Sequence, residues 1–233
     1  KRGRVHSKAE VVQLTNLLNE QIEVLDLGWE EQMDQFLLKD GSGSTDDIEG
    51  LDYLIAVNPT TGTVGGIDRS VSANSWWRNN YATGITTATD TGTIIDVMET
   101  QWRNCTKNGG RPNYIMAGTD FMDGYRNFLL KTYSTIQINN GSMITAEGGT
   151  DRIQFKGVPI IWNPTFDDLG GTFAKRCYFL NMSYIQMKEI DGQGKVSRKP
   201  PRPYDRYEHM WGLTSRFAVC MTRANAHAVL VLA

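Results

Sequence analysis

An α+β fold is predicted by three features of the sequence: a long helical period near its start, a helix-strand-helix succession in its middle, and strand periods from Arg152 onward. The chain has 233 residues, 40% of them hydrophobic and 21% charged, enough for a full core with room for two lobes.

The helical period comes first. Ser7 and Glu10 stand at capping-box spacing, and Val11, Leu14, Leu18, Ile22, Leu25, Trp29, Met33 and Leu37 follow in steps of three and four. Asp40-Gly41 ends the run, so the helix spans about 33 residues and about 50 Å. Gly28 falls inside it and predicts a bend or a close packing contact. The apolar steps do not hold a heptad, which favours one helix laid along a domain over a coiled coil. Its Trp29, Met33 and Leu37 face is expected to pack on the domain's own sheet. The polar stretch from Asp40 to Asp47 is a plain loop, since Leu51 occupies the place where a calcium loop needs a bidentate glutamate.

The segment NPTTGTVGGIDRSVSANSWWRNNY, from Asn58 to Tyr81, mixes two signals. Pro59, Gly62, Gly65 and Gly66 are turn formers. The glycines lack both the Gly-Lys-Ser/Thr ending of a phosphate loop and the spacing of a dinucleotide site. Trp76, Trp77 and Arg78 then follow, residue types that dominate protein interfaces but also fill cores. Both readings stay open for the pair, with at least one of the three expected at an interface. Asp68 and Arg69 are expected to form a local or intersubunit ion pair, because no nucleophile or base motif accompanies them.

A second helix is predicted from Gly92 to Cys105, with Ile94, Ile95, Met98 and Trp102 on one side and Gly109-Gly110 closing it. A short strand over Pro112 to Ala117 comes next, and Thr119 then caps a third helix bearing Phe121, Tyr125, Phe128 and Leu129. Strand periods occupy Arg152 to Trp162, Arg176 to Lys188, Phe217 to Thr222 and Ala228 to Leu232, and hairpins with antiparallel pairing are expected among them. The proline-rich connection from Lys199 to Pro203 is too stiff for a tight turn.

Chemistry finds little purchase. A net charge of -2 and a pI near 6.0 exclude the basic field of a dedicated nucleic-acid binder. Basic runs at Lys1 to Arg4 and Arg198 to Arg202 read as solvated segments. Cys105, Cys177 and Cys220 are odd in number and form no Cys-x-x-Cys pair, so reduced, buried thiols are expected rather than disulfides or zinc. His6, His209 and His227 are scattered without metal-ligand spacing. Asp167-Asp168 suits a turn better than an acid/base pair. No apolar run is long enough to span a bilayer, and no signal segment opens the chain, so the sequence reads as soluble and made in a reducing compartment. No catalytic residue, cofactor or metal is assigned.

The order of motifs carries more. GLDYLIAVNPTTGTVGGIDRSVSANSWWRNNY resembles the segment after the long helix in major capsid proteins of tailed bacteriophages, the HK97-type fold. FLLKDGSGSTDDIEGL resembles that family's helix end and return loop, and GGRPNYIMAGTDFMDGYRN its Arg-Pro strand-helix unit. IQFKGVPIIWNP, CYFLNMSYIQM and MWGLTSRFAVCMTRANAHAVL continue the similarity in collinear order. The resemblance implies a long spine helix, a mixed α/β axial domain and a β-rich peripheral domain. Residues 1–89 would hold the spine helix and a peripheral segment with its linker, 90–175 mainly the axial domain, and 176–233 strands returning to both. Asn58 to Tyr81 would then link the peripheral and axial regions. It implies an arm and an extended loop ahead of the spine helix, so part of the lattice-forming apparatus is expected upstream of Lys1.

The function so implied is structural and not enzymatic. Self-assembling copies, as hexamers and pentamers, would tile an icosahedral shell around a double-stranded DNA phage genome, with Trp76, Trp77, Arg78, Asp68 and Arg69 as candidate interface residues. Implied partners are portal, scaffolding and decoration proteins, with DNA nearby but not read in sequence and no membrane. The location would be the virion, after assembly in the bacterial host cytoplasm. An encapsulin-like nanocompartment shell is the alternative within the fold, and an α/β hydrolase is a distant one outside it.

Overall fold

The computed structural model describes residues 8–44, 47–87, 93–107, 109–133, 153–201, 204 and 210–233. Helix α1, Lys8–Leu38, is the predicted long helix at 31 residues, unbroken at Gly28. Ser7, His6 and His209 lie outside the described residues. The chain then turns back so tightly that a Cβ on Gly50 would lie 2.5 Å from the carbonyl oxygens of Phe36 and Lys39, which only glycine tolerates. Helix α2, Leu51–Leu54, follows at once.

Strands β1 (Thr63–Val64) and β2 (Ile67–Asp68) form a small hairpin. Its two-residue turn is Gly65-Gly66, with φ of 60° and 78°, a conformation that matches the twist of a hairpin and excludes most other residues. A 3-10 turn over Ser72–Trp77 leads into β3, Asn80–Ile85. Helix α3, Ile94–Thr106, is capped by the Thr93 side chain, one residue before the first apolar position of its stripe. Strand β4, Tyr114–Ala117, and helix α4, Thr119–Tyr133, follow as predicted. Strands β5 (Gln154–Phe155) and β6 (Val158–Trp162) are a second hairpin. Short helices α5 (Thr165–Asp168) and α6 (Gly171–Ala174) precede β7, Arg176–Leu180. Then come β8 (Ile185–Glu189), β9 (Val196–Arg198), β10 (Gly212–Thr214), β11 (Phe217–Met221) and β12 (Ala228–Leu232).

The central sheet has six strands in the order β3-β12-β7-β4-β6-β5. It draws β3 from the first segment of the chain, β4 to β6 from the middle and β7 and β12 from the last. Pairs among the strands after Arg152 are antiparallel, as expected, while β12 with β3 and β6 with β4 are parallel. The single strand period expected over Arg176 to Lys188 is divided into two strands. Strand β7 is buried along its whole length and enters the central sheet, whereas β8, mostly exposed, pairs with β11. The turn at Asn181 to Tyr184 separates them, and with β9 and β10 the outer pair makes a two-stranded ribbon.

Alternation in β7 shows why both faces of the sheet need cover. Cys177 and Phe179 enter a core with α3 and α4, where Trp102 packs edge-on to Phe155 and Phe179 at 5.7 and 6.0 Å. Tyr178 and Leu180 enter a second core with Leu38, Leu51, Leu54, Trp77 and Phe166. Such a strand reads as a continuous apolar run. Cys105 and Cys177 are buried free thiols, and burial pushes Cys105 up to about 12; Cys220 is half-buried. Trp29, Met33 and Leu37 are half-buried rather than packed on the central sheet. Trp29 and Met33 instead border an open groove with Phe36, Phe217 and Val219, because the ribbon and not the six-stranded sheet lies along α1.

His227 is fully buried, its Nδ1 accepting from the Asn181 backbone N–H at 3.2 Å, and burial lowers its pKa to about 4. The folded chain therefore keeps it neutral while the unfolded chain protonates below about 6.5. Stability from this group is present above that pH and is lost as pH falls towards 4, by about 3 kcal/mol. Urea unfolding at pH 7 and pH 4 is expected to show that loss in the parent chain and a smaller one in His227→Gln.

Candidate functional site

The segment after α2 is held by its own side chains. Asp68 does not pair with Arg69, against the sequence expectation. Its carboxylate accepts from the Ser70 backbone N–H at 2.8 Å, and the Ser70 hydrogen bonds hold it below its usual pKa. Arg69 turns the other way and is 2% exposed. Its guanidinium donates to the carbonyls of Tyr53 and Leu54 at 3.0 and 3.2 Å, and to Asn79 Oδ1 at 3.3 Å. Those carbonyls are left open at the end of α2, and the buried guanidinium donates to them, while Asp68 turns to the Ser70 N–H instead. Asp68 thus bonds the turn that follows β2 and Arg69 is a buried structural residue, so the two do not form the local ion pair with each other.

Arg78 laces the same loop. Its Nε donates to the Arg69 carbonyl at 2.7 Å and a terminal nitrogen to the Ser70 and Val71 carbonyls at 3.1 and 3.3 Å. Asn79 donates to the Ala56 carbonyl at 2.9 Å, closing the module on the chain that enters it. Nothing in the sequence separated this arginine and asparagine from surface residues, because their partners are backbone carbonyls 7 to 23 positions away.

The tryptophans divide. Trp77 is 9% exposed, lies in the second core and donates its indole N–H to the Val64 carbonyl at 3.0 Å. Trp76 is 56% exposed and leans on Trp77 with ring centroids 5.5 Å apart. Val71 and Tyr81 are also exposed, and Tyr81 lies on β3, which forms one edge of the central sheet. A self-bonded loop that presents an exposed indole shortly before a strand that, among the described residues, has no partner on its outer side is suited to contact with another protein surface.

Other sequence candidates have structural roles. Asp167 accepts from the Thr119 backbone N–H at 3.4 Å and from the Trp162 indole at 3.2 Å, and its carboxylate also takes the Thr119 hydroxyl. It therefore caps α4 and is not half of an acid/base pair. Asp40 accepts from the Ser42 backbone and hydroxyl at 3.1 and 2.9 Å, which lowers its pKa and makes the loop an Asx turn. Among the described residues no group of His, Cys, Asp and Glu could hold a metal ion, and no helix is long and apolar enough to cross a membrane.

Sequence reasoning missed one further buried polar group. Arg176 opens β7 and donates to Asp52 Oδ1 at 2.6 Å and to the Tyr178 hydroxyl at 3.1 Å, with its guanidinium 4.0 Å from the Phe173 ring. Burial raises the Asp52 pKa in spite of that neighbour. A charged residue beginning an otherwise apolar strand was the available signal.

No family model matches the chain, and no curated protein matches it in sequence. Solved structures do. A chain of the cyanophage A-1(L) capsid superposes with a TM-score of 0.63 at 14% identity, over 93% of this chain and 69% of that one. The capsid of Myoviridae phage XM1 gives 0.53 at 13% identity, over 98% and 70%. The chain has the HK97-type capsid fold. An encapsulin, in the holo-SrpI complex of Synechococcus elongatus PCC 7942, shares the capsid fold with a TM-score of 0.50 at 14% identity, over 99% and 67%. In that fold α1 takes the place of the long spine helix, with the 31-residue span that the sequence period predicts to within a turn.

Proposed function

We propose that the chain is the shell subunit of a tailed phage capsid, assembling through hexamers and pentamers into an icosahedral container for double-stranded DNA. The observation that carries this reading is the superposition of nearly the whole chain on chains of phage capsids. A closed shell needs repeated heterologous contacts. The outward Trp76, held by Trp77 and Arg78 on a rigid loop, supplies an anchor for one of them. Residues 90–175 form mainly the axial domain in this reading, 1–89 and 176–233 build the peripheral parts, and Asn58 to Tyr81 links the two. The work of the protein is mechanical rather than enzymatic, in the virion, after assembly in the bacterial host cytoplasm. Portal, scaffolding and decoration proteins are its expected partners, and a mildly acidic surface leaves packaged DNA loosely held.

A bacterial nanocompartment shell is the second reading, supported by the encapsulin superposition. Sedimentation of the full-length gene product from a cell lysate, followed by nuclease-protection and protein analysis of the fast fraction, separates them. Protected double-stranded DNA is expected. A particle with protein cargo and no DNA would favour the nanocompartment, and a chain that stays monomeric at all concentrations would contradict both.

A further inference from the structure

Arg103, Thr106, Lys107 and Lys156 line an open hollow of about 520 Å³ where the end of α3 meets the turn of the β5–β6 hairpin. Arg111, from the loop before β4, lies beside it, its guanidinium 5.7 Å from the Trp102 ring centroid and a terminal nitrogen donating to the Lys156 carbonyl at 3.4 Å. Four cations thus come together from three separate segments. Glu99 is the one carboxylate paired with them among the described residues: its Oε1 lies 2.6 Å from Lys156 Nζ and 3.4 Å from Arg103 Nε. The cluster keeps an excess of positive charge. Asp120 and Asp167 stand at the opposite end of the lobe, past Ala117 and Trp162, because β4 and β6 run parallel.

The helix end alone does not explain the cluster. Basic residues in a last turn complement the helix dipole, which accounts for Arg103 and Lys107 but not for Arg111 and Lys156. Lys156 also holds a costly conformation. It is the one non-glycine residue with positive φ among the described residues, at 50°, and with Gly157 at 81° it makes a two-residue hairpin turn that asparagine serves better than lysine. Backbone strain of this kind collects where a side chain has a task. The hollow also lacks what a protein-binding surface uses: Trp102 is 6% exposed, with Arg111 over its ring, and no exposed large hydrophobic side chain lies among the described residues of 94–114 or 153–160.

We infer that Arg103, Lys107, Arg111 and Lys156 form a contact site for the phosphate backbone of double-stranded DNA. The site rests on the shell reading, under which each copy of the chain faces that polymer. Cations gathered over an open hollow meet phosphates without reaching base edges, so binding is independent of sequence and weakens steeply with salt. Glu99, shared between two of the cations, limits its strength, in keeping with a polymer that is loosely held.

Dissociated subunits of the full-length protein test it by fluorescence anisotropy on a labelled DNA duplex, from about 50 to about 200 mM salt. Arg103→Gln with Lys107→Gln is expected to weaken binding at least about tenfold at the lower salt and to reduce the slope of log affinity against log salt by about two. Lys156→Asn is expected to reduce that slope by about one while the subunit unfolds at the parent urea concentration or a higher one, because asparagine relieves the turn. Removing two cations elsewhere, Arg126→Gln with Lys188→Gln, and changing the duplex sequence are each expected to leave the affinity within about twofold. Formaldehyde treatment of filled particles is expected to join Lys107 and Lys156 to the DNA. Unchanged slopes in both patch variants, an equal loss in the control variant or absence of those cross-links from filled particles would overturn the site. Stronger competition by poly-glutamate than by unlabelled duplex would overturn it too, by assigning the hollow to an acidic protein segment. Particles that hold no DNA would strike the shell reading instead, and the subunit titration would still decide the site.

Discussion

Trp77→Ala is expected to destabilise the isolated subunit by about 3–5 kcal/mol, the range for deleting a large buried aromatic. The indole fills the second core beside Val64 and Leu54 and satisfies the Val64 carbonyl, so its removal leaves a cavity and an unpaired acceptor together. Trp76→Ala loses mainly the tilted ring contact with Trp77, worth about 0.5–1.5 kcal/mol. Its effect belongs to assembly. Chemical denaturation of the subunit and particle yield from the same preparations check both: Trp77→Ala should unfold early, and Trp76→Ala should fold but form fewer particles. A pair of equal stability losses would place both rings in the core and remove Trp76 from the interface.

The second large effect sits at the junction of α2 and the central sheet. Asp52→Ala is expected to cost about 3–5 kcal/mol, because it strands the Arg176 guanidinium among Phe173, Tyr178 and the buried strand β7. Replacing both partners with apolar residues, Asp52→Leu with Arg176→Met, should recover most of that loss, since two desolvated charges disappear together. Urea unfolding of the two variants reads the difference. Equal losses in the single and double variants would mean that the site depends on the ion pair itself rather than on avoiding a lone buried charge.

What the sequence disclosed about this fold follows from the range of each signal. The spine helix and α3 were legible because their information is local: apolar residues at steps of three and four, an N-cap threonine at Thr93, and Asp40-Gly41 at the end of the long helix. Strand β12 ran over Ala228–Leu232 for the same reason. Partner choice was not local. The Arg176 to Lys188 run gave no sign that Asn181 to Tyr184 would send β7 and β8 into different sheets, since both halves have the same period. The interface candidates divided along the same line. Two adjacent tryptophans announced an unusual site, but which ring faced inward depended on Val64, thirteen residues earlier. Arg69 was misassigned because the sequence places Asp68 next to it, while alternation along an extended strand points the two side chains to opposite sides. The half-burial of Trp29 had a similar cause: the period showed a face, not whether sheet or ribbon would cover it.

Electron microscopy of the full-length gene product, purified without denaturation and concentrated, tests the central claim most directly. Closed icosahedral particles are expected, with α1 lying along each subunit and Trp76 at a boundary between neighbours. A homogeneous population of folded monomers, with no rings, sheets or shells across the concentrations and ionic strengths tried, would contradict it.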